Sequence, residues 1–194
     1  MHVLLAVLAL HVSPVTPAEL GASWRSGCPV APAQLRKVTL PYWGFDGKPH
    51  IGALVVNVSS VSAVEKVFLR LDRERFPIRR MTPIAAYGGS DNRSMAADNT
   101  SAFNCRYAVA PGPKQWSVHA YGEAIDVNPI ENPYYEGGRW LPPAGRRYSD
   151  RSKSRRGMAE PGGALNTAFA IVGWQWGGRW TGTPDYQHFS ATGG

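Results

Sequence analysis

Hydrophobic positions along the chain form a few short periodic runs, separated by long stretches of Gly, Pro and small polar residues. Ile51 to Val58 (Ile-Gly-Ala-Leu-Val-Val-Asn-Val) is apolar and β-branched and predicts a strand. Ser62 and Glu65 stand at capping-box spacing. Val64, Val67, Phe68 and Leu71 then recur with helical periodicity, so an amphipathic helix is expected, ended by Pro77. Leu165, Ala168, Phe169 and Val172 repeat that spacing and predict a second helix. A strand is expected within Val118–Val127, another over Ser101–Cys105, and a short closing one around Tyr186–Ser190. Residues 19–49 read as irregular, and 85–100 and 129–163 as long loops. Long loops inside a compact domain usually carry function, and these two bracket His119.

Composition narrows the class. Of 194 residues, 21 are Gly and 16 are Pro, too many breakers for a helical bundle. Aromatics make up 11%, with seven Trp, against 18% charged residues, which excludes a disordered chain. An α+β domain with long, turn-rich connections is the remaining class, with no internal repeat and no second boundary. Val3 to Val12 is too short to span a bilayer. It suits the apolar part of a secretory signal, with Val15-Thr16-Pro17-Ala18 as a cleavage region, although the preceding segment has His2 and no Lys or Arg. The alternative is an ordinary buried strand. On the first reading residues 1–18 are a signal and 19–194 one extracytoplasmic domain. Cys28 and Cys105 are the only cysteines, either one disulfide of an exported protein or two buried thiols. No later stretch is apolar enough for a membrane span, and a monomer is expected.

The net charge of +7 points to anionic partners. Six cations fall between Arg146 and Arg156 (Arg146, Arg147, Arg151, Lys153, Arg155, Arg156), either a solvated loop or an attractor of anionic wall polymers. No recognition motif accompanies the charge, which argues against nucleic acid. Two cysteines also exclude a four-cysteine zinc ribbon, so any metal site must use His and carboxylates.

Two histidines lie close to carboxylates: Ser117-Val-His119-Ala-Tyr-Gly122-Glu-Ala-Ile-Asp126, and Asp185-Tyr-Gln-His188. On a straight strand His119 and Asp126 would face opposite sides, so they converge only if the chain bends, and Gly122 permits a bend. Two His and one Asp would make a three-ligand zinc site with an open fourth position, the mark of a catalytic site. The bland alternative is a buried His bonded to an Asp. Asp185 is the candidate base, with Glu123 weaker because it shares a strand face with Ile125. His50 has only Asp46 nearby and is read as a non-ligand.

These motifs, followed by Gly173-Trp-x-Trp176-Gly-Gly, resemble the zinc D-alanyl-D-alanine peptidase family. Asn99-Thr-Ser-Ala-Phe-Asn-Cys-Arg106 and Asn128-Pro-x-x-Asn132-Pro133 resemble its VanY-like carboxypeptidase branch in particular. The resemblance covers about residues 80–190 and implies the hedgehog/D-Ala-D-Ala-peptidase fold, a small antiparallel sheet with flanking helices and long loops. It implies that His119, Asp126 and His188 bind Zn and that Asp185 is the general base. It also implies an arginine that polarises the scissile carbonyl, for which Arg106 is chosen over Arg93. Ser117, Arg93 and Trp176 are candidate substrate contacts, with Trp174, Trp176 and Trp180 also readable as core and site wall. The implied substrates are peptidoglycan stem peptides, cut by a D-alanyl-D-alanine carboxypeptidase, an L-alanyl-D-glutamate-type endopeptidase, or not cut at all if the domain is a zinc-containing wall-binding module.

Overall fold

The computed structural model describes residues 10–109 and 113–193. Its N-terminal half is built on one sheet. Strands β1 (His11–Pro14), β2 (Leu35–Gly44) and β3 (Pro49–Asn57) run antiparallel in that order. Helix α1 (Pro17–Leu20) links the first two. Helix α2 (Val61–Arg73) covers the sheet by burying Val64, Val67, Phe68 and Leu71 against Val38, Leu40, Leu54 and Val56. Strand β4 (Pro77–Ile78) then joins the far end of β2 in parallel.

The structure corrects three local expectations here. Residues 19–49 are not irregular throughout, because β2 occupies 35–44 and pairs with β3 along its length. Pro41 obscures this strand. It is tolerated because β1 pairs only as far as Thr39 and β4 begins only at Trp43, so the ladder on that side is interrupted at Pro41. The capping box at Ser62 and Glu65 does not form. Helix α2 follows a 3-10 turn whose first amides are served by Asn57 Oδ1, which accepts from Ser59 N at 3.1 Å. Residues 101–105 do not form a strand: Ser101 alone of them makes a bridge, opposite Asp126.

The two expected loops carry short elements. Helix α3 (Asp91–Ala96) sits in the first, capped by Ser90. Beyond β5 (Ala124–Asp126), the second contains a hairpin of β6 (Tyr134–Glu136) and β7 (Arg139–Leu141). Gly137 and Gly138 turn it with φ of +55° and +79°, the left-handed backbone of a two-residue hairpin turn. Helix α4 (Ala164–Ile171), β8 (Gln175–Trp176) and β9 (His188–Ser190) complete the chain, with β9 central between β5 and β8.

Aromatic packing joins the halves: Phe169 of α4 stacks on Phe189 of β9 at 4.2 Å and meets Phe68 of α2 edge-on at 6.5 Å. A smaller apolar cluster gathers Val15, Leu20, Leu35, Phe103 and Cys105, and there Cys28 and Cys105 form a disulfide with Cα atoms 5.8 Å apart. Closing 77 residues of chain this way corresponds to about 4 kcal/mol on the chain-entropy view. Of the segment read as a signal, residues 11–14 pair with β2 and Val15 is buried. Residues 1–9 lie outside the described residues. Among the described residues no helix is long and apolar enough to cross a membrane.

Candidate metal centre

The register of β5 on β9 builds the site. Ile125 pairs with Phe189 and both are fully buried in the core. Because side chains alternate along a strand, the next pair, Asp126 opposite His188, turns to the other face. His119 reaches the same point from a 3-10 turn (Val118–Tyr121) whose first amide is held by Ser117, the hydroxyl accepting from His119 N at 3.3 Å. Gly122 then reverses the chain at φ +73°, and a Cβ there would come within 2.6 Å of Asn57 N. The Gly122 carbonyl accepts from Asn57 N (2.9 Å) and the Tyr121 carbonyl from Asn57 Nδ2 (3.0 Å), so the end of β3 fixes the bend.

The three side chains close into a triangle. His119 Nε2 is 3.2 Å from His188 Nδ1 and 3.3 Å from Asp126 Oδ1, and His188 Nδ1 is 3.3 Å from the same oxygen. Donor atoms bound tetrahedrally to zinc at about 2.0–2.1 Å lie about 3.3 Å apart, so the triangle has the edge length of such a site. Protonation agrees. His119 Nδ1 donates to Ala102 O at 2.7 Å, and since a carbonyl only accepts, the neutral ring presents its Nε2 lone pair to the triangle. That lone pair faces a carboxylate oxygen, an acceptor against an acceptor, which a cation between them resolves. Burial opposes ionisation of Asp126, but the two histidines outweigh it and hold its pKa below the ordinary value. Burial lowers His188, whereas Asp126 overcomes burial and raises His119. The residues present therefore fit a divalent zinc ion.

Asp185 stands at the edge of the triangle. The 185–188 turn brings it there, with His188 N donating to Asp185 O at 3.4 Å. Gly177 lies so close beneath it that a Cβ would meet Asp185 O at 2.9 Å and His188 Cβ at 3.2 Å, and a Cβ on Gly178 would enter the Trp176 ring. The paired glycines after Trp176 therefore let the chain pass directly under the site. Burial and the neighbouring Asp126 carboxylate push the Asp185 carboxyl well above the usual range, and its Oδ1 has no hydrogen-bond partner. Arg106 is ion-paired with Asp91, which in turn accepts from Asn104 Nδ2 at 2.8 Å. Arg106, Tyr134 and Asp185 line two cavities, one of about 490 Å³ with Ser117, Trp116 and Trp180, the other of about 280 Å³ with Asp91, Glu136 and Gln187. The two cavities thus share a wall at Arg106, Tyr134 and Asp185.

Other expected residues are placed elsewhere. Arg93 does not line either cavity: its Nε donates to Tyr87 O at 2.9 Å, and its guanidinium lies against Gly88. Trp176 is half-buried and lines neither cavity: it packs against Phe189, and its Nε1 donates to Tyr186 O at 2.9 Å. Trp180, two residues beyond the Gly173–Gly178 motif, is the tryptophan of this segment that lines the cleft. Glu123 lines neither cavity, and His50 bonds Asp46 at 2.9 Å away from the site. Within the basic run Arg151 is half-buried. It donates to Glu131 O and Ala159 O and lies over the Tyr186 ring, which holds the loop to the site strand.

Two site residues escaped the sequence reading. Asp91 holds Arg106, and nothing in Asp91-Asn-Arg93 marks the acid instead of the arginine as the relevant group. Tyr134, whose hydroxyl is pushed up to about 12 by burial and by Glu136 and Asp185, lines both cavities. The signal for its hairpin was the Gly-Gly pair flanked by aromatic strands.

Residues 111–191 match the family model described as D-alanyl-D-alanine carboxypeptidase. The matched span holds all three triangle residues and Asp185. The match supports the zinc D-alanyl-D-alanine peptidase family for this part of the chain. No curated protein and no solved structure matches the chain.

Proposed function

We propose that the chain is a zinc metallopeptidase of peptidoglycan stem peptides, foremost a D-alanyl-D-alanine carboxypeptidase, a reading supported by the match of residues 111–191 to the family model of that description. The observation that carries this reading is the His119–Asp126–His188 triangle with the buried, unpartnered Oδ1 of Asp185 at its edge. The Cys28–Cys105 disulfide supports an extracytoplasmic site of action.

His119, Asp126 and His188 would hold the ion. Zinc supplies Lewis acidity there, polarising the amide carbonyl and making a water easier to deprotonate. Asp185 takes the proton of the attacking water on its carboxylate and returns it to the leaving amine nitrogen. A raised pKa suits both halves of that task, since a carboxyl must hold the proton long enough to deliver it. Arg106, aimed by Asp91, offers guanidinium N–H groups to the oxygen on which negative charge develops. Ser117 fixes the turn that carries His119.

A second reading, an endopeptidase of the same family, is favoured by the second cavity, of about 280 Å³, that shares Arg106, Tyr134 and Asp185 with the first. Mass spectrometry of muropeptides after incubation with the zinc-loaded protein separates the readings. Loss of one terminal D-Ala marks a carboxypeptidase, and fragments cut within the stem mark an endopeptidase. Unchanged muropeptides would overturn both and leave the non-catalytic wall-binding module.

A further inference from the structure

The β6–β7 hairpin has two faces. Side chains alternate along a strand, so Tyr134 and Glu136 turn to the proposed site, while Tyr135 and its cross-strand partner Trp140 turn away from it. On that outer face Tyr135 and Trp140 line another cavity, of about 550 Å³, within the ordinary size of a small-molecule site. Trp140 meets Tyr135 with ring centroids 4.7 Å apart and stacks with Tyr186 at 6.1 Å, and the Arg151 guanidinium lies over Tyr186 at 4.3 Å. The aromatic wall is therefore held in place by its neighbours before any ligand arrives.

The charge in this cavity is of one sign. Arg139 and Arg146 line it, both exposed, and no acid stands among the described lining residues. Arg146 also differs from the rest of the basic run. Arg147 and Arg155 lie over the Tyr148 ring, Arg156 lies over Phe45, Lys153 pairs with Asp150 and Arg151 donates to Ala159 O. Among the described residues neither Arg146 nor Arg139 has an ion-pair, hydrogen-bond or ring partner for its guanidinium. Two cations that share a cavity without a counter-charge repel each other, and an anion bound there relieves the repulsion.

A guanidinium offers planar N–H groups that match the oxygens of a carboxylate or a phosphate. A fixed aromatic ring offers an apolar face, which suits the C–H face of a sugar ring. We propose that this cavity binds an anionic saccharide, a sugar ring carrying a carboxylate or a phosphate group, with the ring against Tyr135 and Trp140 and the anion on Arg139 and Arg146. Leu141 lines both this cavity and the smaller cavity of the metal centre, so the saccharide sits one strand pair away from the cleft. The site does not depend on the peptidase reading, and its ligand is distinct from the peptide.

The probes are methyl glucoside, its 6-phosphate, methyl glucuronide and inorganic phosphate, titrated into the zinc-loaded protein. Kd is read by NMR from the indole N–H of Trp140, assigned with Trp140→Phe. At least one of the two acidic sugars should bind about tenfold or more tightly than the neutral sugar, the size of one charged hydrogen bond. It should also bind more tightly than inorganic phosphate, and the tighter of the two names the anion. Arg139→Gln with Arg146→Gln should bring the acidic and neutral sugars to similar Kd, with zinc content unchanged. Both arginines are exposed, so the double variant is expected to fold. Equal binding of neutral and acidic sugars, a preference that survives the double variant, or no shift of the Trp140 signal would overturn the site. Inorganic phosphate binding as tightly as the acidic sugars would reduce it to an adventitious ion only and overturn the saccharide.

Discussion

Asp126 and His188 stand directly opposite each other in the β5–β9 ladder, with Asp126 Oδ1 3.3 Å from His188 Nδ1. Two of the three proposed ligands are therefore set by strand pairing, and only His119 depends on a turn. Purified protein is expected to hold one zinc, and Asp126→Asn or His188→Ala to hold little. Binding requires neutral imidazoles, and Asp126 favours the protonated His119, so zinc should dissociate as pH falls. Metal content against pH checks this. Chelation should also lower the melting temperature, because an ion bound only to the folded state stabilises it.

Gly122 is the point at which the sequence demands a bend and the fold permits no side chain. Its φ of +73° is left-handed, and a Cβ would sit 2.6 Å from Asn57 N. Gly122→Ala should cost about 2 kcal/mol or more in denaturant unfolding and weaken zinc binding by moving His119.

Arg106 is aimed by Asp91, so the two should act as a unit. Arg106→Ala should lower kcat by about a hundredfold, the usual size for loss of one oxyanion donor. Asp91→Asn should lower kcat by less, with zinc content unchanged. A double mutant no worse than Arg106→Ala would show the coupling, whereas independent losses that add would contradict it.

The His119–Asp126–His188 pattern was the most legible part of the sequence. The spacing of His119 from Asp126 made sense only with a bend at Gly122, and the structure places the bend there. Helices α2 and α4 were legible from their apolar faces. Strand β2 was not, because Pro41 interrupts its pattern and the gap between β1 and β4 that accommodates it is a tertiary fact. Arg93 and Trp176, expected at the site, line neither cavity, for a related reason. The motif lists residue types, whereas the side that each faces depends on contacts with Tyr87 and Phe189 that are distant or local accidents of packing.

Away from the centre, Glu131 is buried beside Asp98, with Tyr148 donating to its Oε1 at 3.3 Å and Arg79 3.5 Å from Asp98. Burial and Asp98 push its carboxyl from 4.5 up to about 8. Between those values the folded state keeps a proton that the unfolded state has released, so stability should fall as pH rises through this window. Glu131→Gln, which keeps an N–H donor near Asp98, should flatten that slope and be the more stable protein at pH 8. Urea midpoints measured at intervals from pH 5 to about 8.5 would show it, and parallel curves for the two proteins would contradict it.

The most direct test is release of D-Ala from a peptide ending in D-Ala-D-Ala, measured by mass spectrometry for the wild type and for Asp185→Asn, with zinc content determined on the same samples. The expected result is release by the wild type and its loss in Asp185→Asn with zinc retained at one per chain. Release that persists in Asp185→Asn, or a folded wild type that holds no zinc and leaves the peptide intact, would contradict it.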